Sequence, residues 1–452
     1  MSHPENIFGT DGVRDRAGEG LLSDASIERF GLALASFVRE GVDYIIRTPR
    51  VLIGRDTRVS GPRIEALLSE SLGRRHATVE SAGILPTPAI SLLVDKLGYD
   101  LGVVISASHN PPEFNGLKVF DRRGRKLDVG SEQRITALYH RVPDFSERRS
   151  TAISFQPDLP RRYLDFLAQA PTIDLRGLTV VLDCACGATA PVAVQAFERA
   201  GARVIAIHTD LDGERINVDC GSLNPEAVGE VVKREGADLG VAFDGDGDRA
   251  ILVDEKGEVV DGDEVMALWA LDLHGRGALR RELLVTTVMS NAGMESYLRD
   301  QGISLIRTGV GDREVYQAME LNDAVLGGEQ SGHIIDRQYA STGDGIRTGL
   351  AIARLLHDRG EPLSKLRAPI PRFPQVLLGV EVEHKVDFEE LERVTSQIRR
   401  VEEALEGRGR LLLRYSGTEP LARILVEGPD PEENRDLAES LAELLRNEPR
   451  LH

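Results

Sequence analysis

One succession of strand, polar loop and helix occurs three times along the chain, and this repetition constrains the fold more than any other feature of the sequence. The three first strands are predicted at 51–54, 180–183 and 284–289, and the second strands lie around Val79, at 204–207 and at 304–306. Third strands follow at 101–103, 239–243 and 324–326, each preceded by an aspartate. Such alternation of strands and helices predicts three α/β domains.

The repeated succession of strand, polar loop and helix ends near Pro369, where three prolines within six residues indicate a linker. An alternating strand, a charged amphipathic helix, two further strands and a closing helix are predicted beyond it. For 452 residues, about 150 residues per domain gives roughly three or four domains. We predict three repeated α/β domains with mixed sheets and a smaller C-terminal α+β domain, four domains around a central cleft. Their predicted limits are 1–152, 153–257, 258–369 and 370–452.

Unusual polar loops follow the third strand of each repeat. They are Ser-Ala-Ser-His-Asn at 106–110, Asp-Gly-Asp-Gly-Asp-Arg at 244–249 and Gly-Gly-Glu-Gln-Ser-Gly-His at 327–333. Open α/β folds bind their ligands at the carboxyl ends of strands. Three such loops at the same point of a repeat therefore predict that they line one cleft.

The acidic loop is the most specific of these motifs. Asp244, Asp246 and Asp248 alternate with glycines after a buried strand, and carboxylates so close repel one another unless a cation lies among them. Oxygen ligands indicate a hard ion, Mg²⁺ or Ca²⁺. An EF-hand does not fit, since Arg249 occupies the position that needs glycine and strands flank the loop. Arg249 is placed to hold a phosphate oxygen.

The loop at 106–110 offers Ser106 and Ser108 as nucleophiles, without the Gly-x-Ser-x-Gly pattern of acyl transfer. A serine near Mg²⁺ and arginine fits phosphoryl transfer, which needs positioning and charge neutralisation. His109 is either catalytic or a structural residue beside a turn. Lys118, predicted to lead into a strand after an Asn-Gly turn, is a candidate proton donor or acceptor.

Two further loops carry ligand-binding residue types. Glu329, Ser331 and His333 alternate acceptors and donors among glycines, which suits sugar hydroxyls, although a flexible connection has the same composition. The last predicted domain contains Arg-Tyr-Ser-Gly-Thr-Glu-Pro at 414–420. Its candidate phosphate ligands are Arg414, Ser416, Gly417, Thr418 and Arg423.

Composition excludes several classes of protein. A net charge of −18 argues against a nucleic-acid binder with a general basic surface. No apolar run approaches the ~20 residues needed to cross a bilayer, and residues 1–10 do not resemble a signal peptide, so we expect a cytoplasmic protein. Cys184, Cys186 and Cys220 form no Cys-x-x-Cys pair and are interpreted as reduced thiols, with a zinc site as the alternative.

The four loops in this order, together with Phe-Gly-Thr-Asp-Gly-Val-Arg at 8–14, resemble the alpha-D-phosphohexomutase superfamily over almost the whole chain. Further stretches are similar to members that act on glucosamine phosphates: 217–222, 288–291, 310–313 and Gln330. The resemblance implies a cytoplasmic isomerase of amino-sugar biosynthesis, which supplies precursor for UDP-N-acetylglucosamine and cell-wall synthesis. A phosphomannomutase/phosphoglucomutase is the alternative, and a phosphatase or a non-catalytic sugar-phosphate binder are more distant ones.

The resemblance also assigns roles to individual residues. It implies a phosphoserine at Ser108 that binds Mg²⁺ with the three aspartates, and a hexosamine 1,6-bisphosphate as intermediate or activator. Arg14, Lys118 and Arg249 would surround the transferring group, with Lys118 as the acid/base. The loop at 327–333 would grip the sugar and the loop at 414–420 the phosphate that is not transferred. The predicted partner is a small sugar phosphate, with neither nucleic acid nor membrane, in a monomer or homodimer.

Overall fold

The first sheet has six strands and contains the Ser-Ala-Ser-His-Asn loop. The computed structural model describes residues 6–9, 11–40, 48–142, 153–168, 173–416 and 420–451. In chain order this sheet comprises β1 Val13–Arg16, β2 Arg50–Arg55, β3 Thr78–Ile84, β4 Leu101–Ile105, β5 Phe114–Asp121 and β6 Ser154–Phe155. The spatial order is β1-β5-β4-β2-β3-β6. Its helices are α1 Asp24–Glu40, α2 Gly61–Arg74, α3 Thr87–Leu97 and α4 Val129–Arg141.

The second sheet has five strands and contains the acidic loop. Its strands are β7 Thr179–Asp183, β8 Arg203–Ile207, β9 Leu239–Phe243, β10 Ala250–Val253 and β11 Val259–Val260, in the order β11-β10-β9-β7-β8. The accompanying helices are α5 Leu159–Ala168, α6 Ala193–Arg199 and α7 Glu226–Glu235. All five residues of β9 are buried. This burial explains the continuous apolar run from which the strand is predicted.

The third sheet has four strands in the order β13-β12-β14-β15. Its strands are β12 Leu283–Thr287, β13 Ser304–Thr308, β14 Leu326–Gly328 and β15 Ile334–Asp336. Its helices are α8 Gly262–Gly275, α9 Ala292–Asp300, α10 Asp312–Leu321, α11 Gly345–Arg359 and α12 Leu363–Arg367. A capping box at Asp261 and Glu264 begins α8.

The three sheets share one topology, which confirms the predicted repeat and the mixed sheets. In each, the third strand pairs in parallel with the first and antiparallel with a returning strand, as β4 does with β2 and β5. The pairs β9–β10 and β14–β15 are likewise antiparallel. Each of the three unusual loops therefore connects a buried strand to its antiparallel return.

One local expectation is wrong. Asn115 and Gly116 do not form a turn before a strand but lie inside β5, paired with Asp15 and Arg14 of β1. A Cβ atom on Gly116 would come within 2.6 Å of the Ser106 carbonyl oxygen, so the glycine serves a close backbone approach. Lys118 is consequently a central strand residue, opposite Val104.

The C-terminal segment is a separate α+β unit, as predicted. Its strands β16 Gln375–Glu381, β17 Arg410–Tyr415 and β18 Leu421–Glu427 form an antiparallel sheet in the order β16-β18-β17. The helices α13 Glu392–Leu405 and α14 Pro431–Arg446 contribute Val394, Val401, Leu441 and Leu445 to its own hydrophobic core.

The chain divides into two compact units, 1–288 with 306–366, and 289–305 with 367–452. The second unit thus takes the segment that contains α9 in addition to the C-terminal residues. In the first unit, β6 at 154–155 pairs with β3 of the first sheet. The four domain limits given above remain a prediction.

Candidate active site

Ser108 is the third residue of the loop that follows β4, and its side chain is buried. Its Oγ donates a hydrogen bond to Asp244 Oδ2 at 2.6 Å and lies 3.3 Å from His109 Nδ1. The residue has a positive φ of 54°, a conformation that a non-glycine residue adopts only where its surroundings fix it. The structure thus places the predicted nucleophile in direct contact with the predicted metal ligands.

Ser106, the other serine of this loop, supports Ser108. Its Oγ accepts the Ser108 N–H at 2.9 Å and donates to Asp56 Oδ2 at 2.6 Å. Asp56 in turn accepts from Arg58 Nε at 2.9 Å, and Arg58 donates to the carbonyl oxygens of Ser108 and Asn110 at 3.0 and 2.7 Å. Arg58 and Asp56 are both fully buried. This ion pair holds the loop through its carbonyl oxygens. The Ser108 hydroxyl is thereby left to contact Asp244.

The three aspartates of the acidic loop are buried together. Their carboxylate oxygens lie within 4.8 Å of one another. Burial, and then the neighbouring Asp248 and Asp246, raise the pKa of Asp244 well above its usual value. Asp246 Oδ2 accepts from Thr87 Oγ1 at 2.5 Å, and Asp244 Oδ1 accepts the Arg249 N–H at 3.1 Å.

Lys118 reaches this acidic cluster from β5. Its Nζ donates to Asp246 Oδ2 and Asp248 Oδ2, both at 2.7 Å, and the side chain is 1% exposed. Burial by itself lowers the pKa of Lys118, but Asp11, Asp246 and Asp248 raise it well above the usual value. For Asp248, burial acts to raise the pKa, but Lys118, His333 and Arg249 hold it below its usual value.

The residues present fit a hard divalent cation. Among the described residues, Asp246 Oδ1 and Asp248 Oδ1 are buried without a hydrogen-bond partner. A buried, ionised oxygen without a partner is costly, and a cation removes that cost. An all-oxygen set is also the one that Mg²⁺ prefers. The acidic loop is therefore a candidate metal site composed of Asp244, Asp246 and Asp248, with the Ser108 oxygen beside it.

Two arginines flank the cluster. Arg14 Nη1 donates to Asn110 Oδ1 at 3.3 Å, and the same guanidinium pairs with Asp11. Arg249 Nε lies 3.9 Å from Asp248 Oδ1. Within the described ranges, the buried Nε atoms of Arg14 and Arg249 have no hydrogen-bond partner. Both guanidinium groups therefore retain donors for an anion, as expected of phosphate ligands.

His109 adjoins Ser108 and is held neutral. Burial, then Arg249 and Arg14, lower the pKa of His109 to about 4. A neutral imidazole near two arginines accepts or donates one hydrogen bond without adding to the positive charge.

Backbone hydrogen bonds join the third loop to the start of β10, and the acidic loop to the start of α11. Ala250 N–H donates to Gly332 O at 3.1 Å, and Gly345 N–H donates to Gly247 O at 3.0 Å. Glu329 Oε1 accepts the Gly311 N–H at 3.1 Å. Ser331 Oγ and His333 Nδ1 are buried without a partner among the residues that the structure describes. These two atoms and the Glu329 carboxylate offer the mixture of donor and acceptor that a sugar hydroxyl needs.

The fourth loop belongs to the C-terminal unit. Arg414 and Arg423 stand directly opposite each other on β17 and β18. Opposed like charges on neighbouring strands are destabilising by themselves. Ser416 is buried at the end of β17, and its carbonyl oxygen accepts from Lys385 Nζ at 2.6 Å. Gly417 and Thr418 lie outside the described residues.

Sequence reasoning missed the residues that position the site. Asp56, Arg58 and Thr87 received no role, and neither did Asn217, whose Nδ2 donates to Ser108 O at 2.9 Å. A signal for the first two was present, because Asp-Thr-Arg follows β2 as the other polar loops follow their strands. Nothing local marks Thr87 or Asn217 as a partner of residues 159 and 109 positions away.

Comparison with protein-family models matches all four parts of the phosphoglucomutase/phosphomannomutase architecture. The alpha/beta/alpha domains I, II and III match residues 5–144, 161–257 and 261–373, and the C-terminal domain matches 377–444.

Full-length relatives agree with these matches. The chain is 46% identical over 448 residues to a phosphoglucosamine mutase of Nitratidesulfovibrio vulgaris, with 97% of this chain and 98% of that protein covered. A phosphoglucomutase/phosphomannomutase family protein from Burkholderia thailandensis has a similar fold, with a TM-score of 0.80, 23% identity and coverage of 98% and 97% of the two chains. An Aspergillus fumigatus N-acetylphosphoglucosamine mutase, solved with GlcNAc-6P and magnesium, has a TM-score of 0.65, 19% identity and coverage of 99% and 97%.

Proposed function

Because the chain belongs to the phosphoglucomutase/phosphomannomutase family, whose members are isomerase-class phosphotransferases, we propose that it interconverts glucosamine 6-phosphate and glucosamine 1-phosphate. The observation that carries the mechanism is the 2.6 Å contact of Ser108 Oγ with Asp244 inside a buried carboxylate cluster. The 46% identity to a phosphoglucosamine mutase supports the choice of sugar.

Two phosphoryl transfers at Ser108 account for the reaction. In the first, the bond between phosphorus and Ser108 Oγ breaks and a bond forms to the C1 oxygen of glucosamine 6-phosphate, whose proton passes to the departing serine oxygen. The resulting 1,6-bisphosphate turns around. In the second, Ser108 Oγ takes the phosphoryl group from C6, and the C6 oxygen receives the proton. Charge and atoms balance over the cycle, and the bisphosphate remains an intermediate.

The candidate site residues of the two units have separate tasks in this scheme. Arg14 and Arg249 would hold oxygens of the transferring phosphoryl group. Lys118 would act as the acid/base that donates or accepts the proton during transfer. His109 would orient the serine oxygen. Glu329, Ser331 and His333 would hold sugar hydroxyls. In the C-terminal unit, the proposed ligands of the other phosphate are Arg414, Ser416, Gly417, Thr418 and Arg423.

Asp244, Asp246 and Asp248, with the Ser108 oxygen, would hold Mg²⁺. When bound, this ion neutralises charge that develops on the transferring group. Asp246 Oδ1 and Asp248 Oδ1, which are buried without a hydrogen-bond partner among the described residues, support the assignment.

Replacement of Ser108 tests the proposal. Intact-mass measurement should find one phosphoryl group on wild-type protein incubated with a hexose 1,6-bisphosphate, and none on Ser108→Ala. Mutase activity should fall at least about 10³-fold, since covalent catalysis is lost. Ser106→Ala is the matched variant, because it should keep the phosphoryl group. Near wild-type turnover of Ser108→Ala rejects the mechanism.

A phosphomannomutase/phosphoglucomutase is the second candidate, since the matching family models bear those names. Values of kcat/KM for glucosamine, glucose and mannose 6-phosphates on the phosphorylated, Mg²⁺-loaded protein decide between them. The proposal requires the amino sugar to be the best substrate. Net release of inorganic phosphate would instead identify a phosphatase.

A further inference from the structure

A second cluster of metal-ligating side chains lies in the same unit as the acidic loop but does not include its residues. It consists of Asp183, His208 and Cys220, whose ligand atoms lie within 4.8 Å of one another. Asp183 ends β7 and His208 follows β8, and these strands are parallel neighbours with Asp183 paired to Ile207. Cys220 arrives from the chain between β8 and α7. The sheet thus brings together an oxygen, a nitrogen and a sulfur from three separate segments.

The contact of His208 with Asp183 has an unusual geometry. His208 Nδ1 lies 3.0 Å from Asp183 Oδ2. Nevertheless this buried Nδ1 atom has no hydrogen-bond partner in the described part of the chain. The nitrogen and the oxygen are therefore close without a hydrogen directed from one to the other. Two such atoms, in a cluster that also contains the Cys220 sulfur, are close enough to serve as ligands of one cation.

Asp183 is fixed and retains capacity to bind. It is fully buried, and its two oxygens accept the N–H groups of Ala185 at 2.8 Å and Gly221 at 2.9 Å. An ionised carboxylate has about four acceptor positions, so two backbone bonds do not exhaust it. An ionised group in this setting is stabilised by a nearby positive charge.

The donor set differs from that of the acidic loop. A thiolate, an imidazole nitrogen and a carboxylate oxygen suit Zn²⁺, whereas three carboxylates suit Mg²⁺. Tetrahedral zinc with ligands at about 2.0–2.3 Å places the ligand atoms roughly 3.3–3.8 Å apart, so the observed cluster needs only a small contraction. The Cys186 thiol lies within hydrogen-bonding reach of the Cys220 thiol, and Cys220 Sγ donates to the Arg215 carbonyl oxygen at 3.8 Å.

We propose that Asp183, His208 and Cys220 form a second metal site, which takes Zn²⁺ and is structural. Bound zinc would join the end of β7, the end of β8 and the segment at 217–221. The last of these segments contacts the nucleophile loop directly, since Asn217 Nδ2 donates to Ser108 O at 2.9 Å. The loop after β7 contacts it indirectly, since Cys186 O accepts from Thr57 Oγ1 at 2.6 Å and the adjacent Arg58 donates to Ser108 O. The site would therefore fix the backbone that positions Ser108.

Metal content tests the proposal. Full-length protein is stripped with chelator and dialysed against Zn²⁺ with saturating Mg²⁺, which blocks the acidic loop. One zinc per chain is expected for wild type. Co²⁺ in place of Zn²⁺ should give a thiolate-to-metal charge-transfer band, which the all-oxygen acidic loop cannot produce. Cys220→Ser and His208→Asn should each weaken zinc binding at least tenfold.

Matched variants keep the test independent of folding. Asparagine tolerates the left-handed backbone of His208 (φ 48°), so His208→Asn should fold, as circular dichroism without zinc would verify. Cys184→Ser removes a buried thiol outside the cluster and should retain zinc and the cobalt band. Wild-type protein without zinc, zinc retained by Cys220→Ser or His208→Asn, or a Cys186–Cys220 disulfide found by mass spectrometry would each overturn the proposal.

Discussion

The buried ammonium group of Lys118 is stabilised by the aspartates that surround it. Its Nζ is shared by Asp246 and Asp248 at 2.7 Å, in surroundings that exclude water. An ammonium in that position offsets one of the two negative charges on these buried carboxylates in the absence of any other cation. The same contacts therefore allow Lys118 to stabilise the buried aspartates and to act as the proposed acid/base.

Replacing Lys118 with methionine should destabilise the fold by about 3–5 kcal/mol without metal, because both carboxylates lose their buried partner. Mg²⁺ should then raise the Tm of Lys118→Met more than that of wild type, since the ion replaces the missing charge. Thermal unfolding with EDTA and with Mg²⁺ measures this. Lys96→Met, at an exposed pair with Asp95, is the control and should change stability by less than about 0.5 kcal/mol. Equal Mg²⁺ effects on variant and wild type would contradict the interpretation.

Asp344 gives a prediction for pH. It begins α11, accepts from Arg347 N–H at 3.0 Å and Tyr163 OH at 2.8 Å, and burial raises its pKa to about 6. Since the folded pKa exceeds the unfolded one, the stabilising contribution of Asp344 is present at low pH and is lost as the pH rises through 6. Between pH 4.5 and 7 this loss is about 2 kcal/mol.

Asp344→Asn removes that loss and should still cap the helix. The free energy of unfolding of the variant relative to wild type should therefore rise by about 2 kcal/mol from pH 4.5 to pH 7. Urea unfolding at a series of pH values measures the difference. Parallel curves for the two proteins would show that Asp344 does not titrate in this range.

Among the structural elements, the loops between a third strand and its antiparallel return determine the site. The acidic loop packs against the loop after β7, where Ala188 N–H donates to Gly245 O at 2.8 Å. A Cβ atom on Gly187 would lie 2.4 Å from that same carbonyl oxygen. The glycine is needed because two backbones approach each other there, and one of them belongs to the loop that contains the three aspartates.

Gly187→Ala should displace the acidic loop. We expect a destabilisation of about 1–3 kcal/mol and at least tenfold weaker binding of Mg²⁺, because the three carboxylates no longer converge. Calorimetric titration with Mg²⁺ measures the affinity. Gly275→Ala is the control, since a Cβ atom there, at the end of α8, would have no neighbouring atom within 4 Å and alanine favours the helix. Unchanged Mg²⁺ affinity in Gly187→Ala would refute the packing argument.

For the molecule as a whole, each of the two compact units consists of two segments that are separate in the sequence. Residues 289–305 belong to the unit that contains the C-terminal segment. Asn291 joins the two parts of that unit. Its Oδ1 accepts from Gly293 N–H and Phe373 N–H, both at 2.9 Å, and its Nδ2 donates to Phe373 O at 2.9 Å. The start of α9 is thereby tied to the linker before β16.

Asn291→Ala should loosen α9 without affecting the first sheet. Loss of the cap and of both bonds to Phe373 should lower the opening free energy of this helix by about 1–2 kcal/mol. Hydrogen exchange of amides at 294–300 should then be about 5–30-fold faster, whereas amides of β4 should exchange as in wild type. Asn291→Asp, which keeps the capping oxygen, should have the smaller effect. Uniform acceleration throughout the chain would indicate global destabilisation instead.

Much of this architecture follows from local sequence. Apolar runs such as 239–243 indicate buried strands because alternation and β-branched residues are local properties, and the three polar loops occur where those runs end. The composition of the acidic loop predicts a cation site, because three carboxylates on alternate residues repel one another unless a cation lies among them. The fold class and the α+β nature of the C-terminal unit were predictable because the patterns of strands and helices are also local properties of the sequence.

Tertiary structure decided which distant groups meet. Asn115 and Gly116 have the composition of a turn, yet pairing with β1 places them inside a strand and directs Lys118 into the aspartates. The support of Ser108 by Arg58 and Asn217, and the convergence of Asp183 with Cys220, involve separations that no local pattern encodes. Residue types and strand periods are properties of short segments, whereas these contacts arise only when sheets and loops pack together.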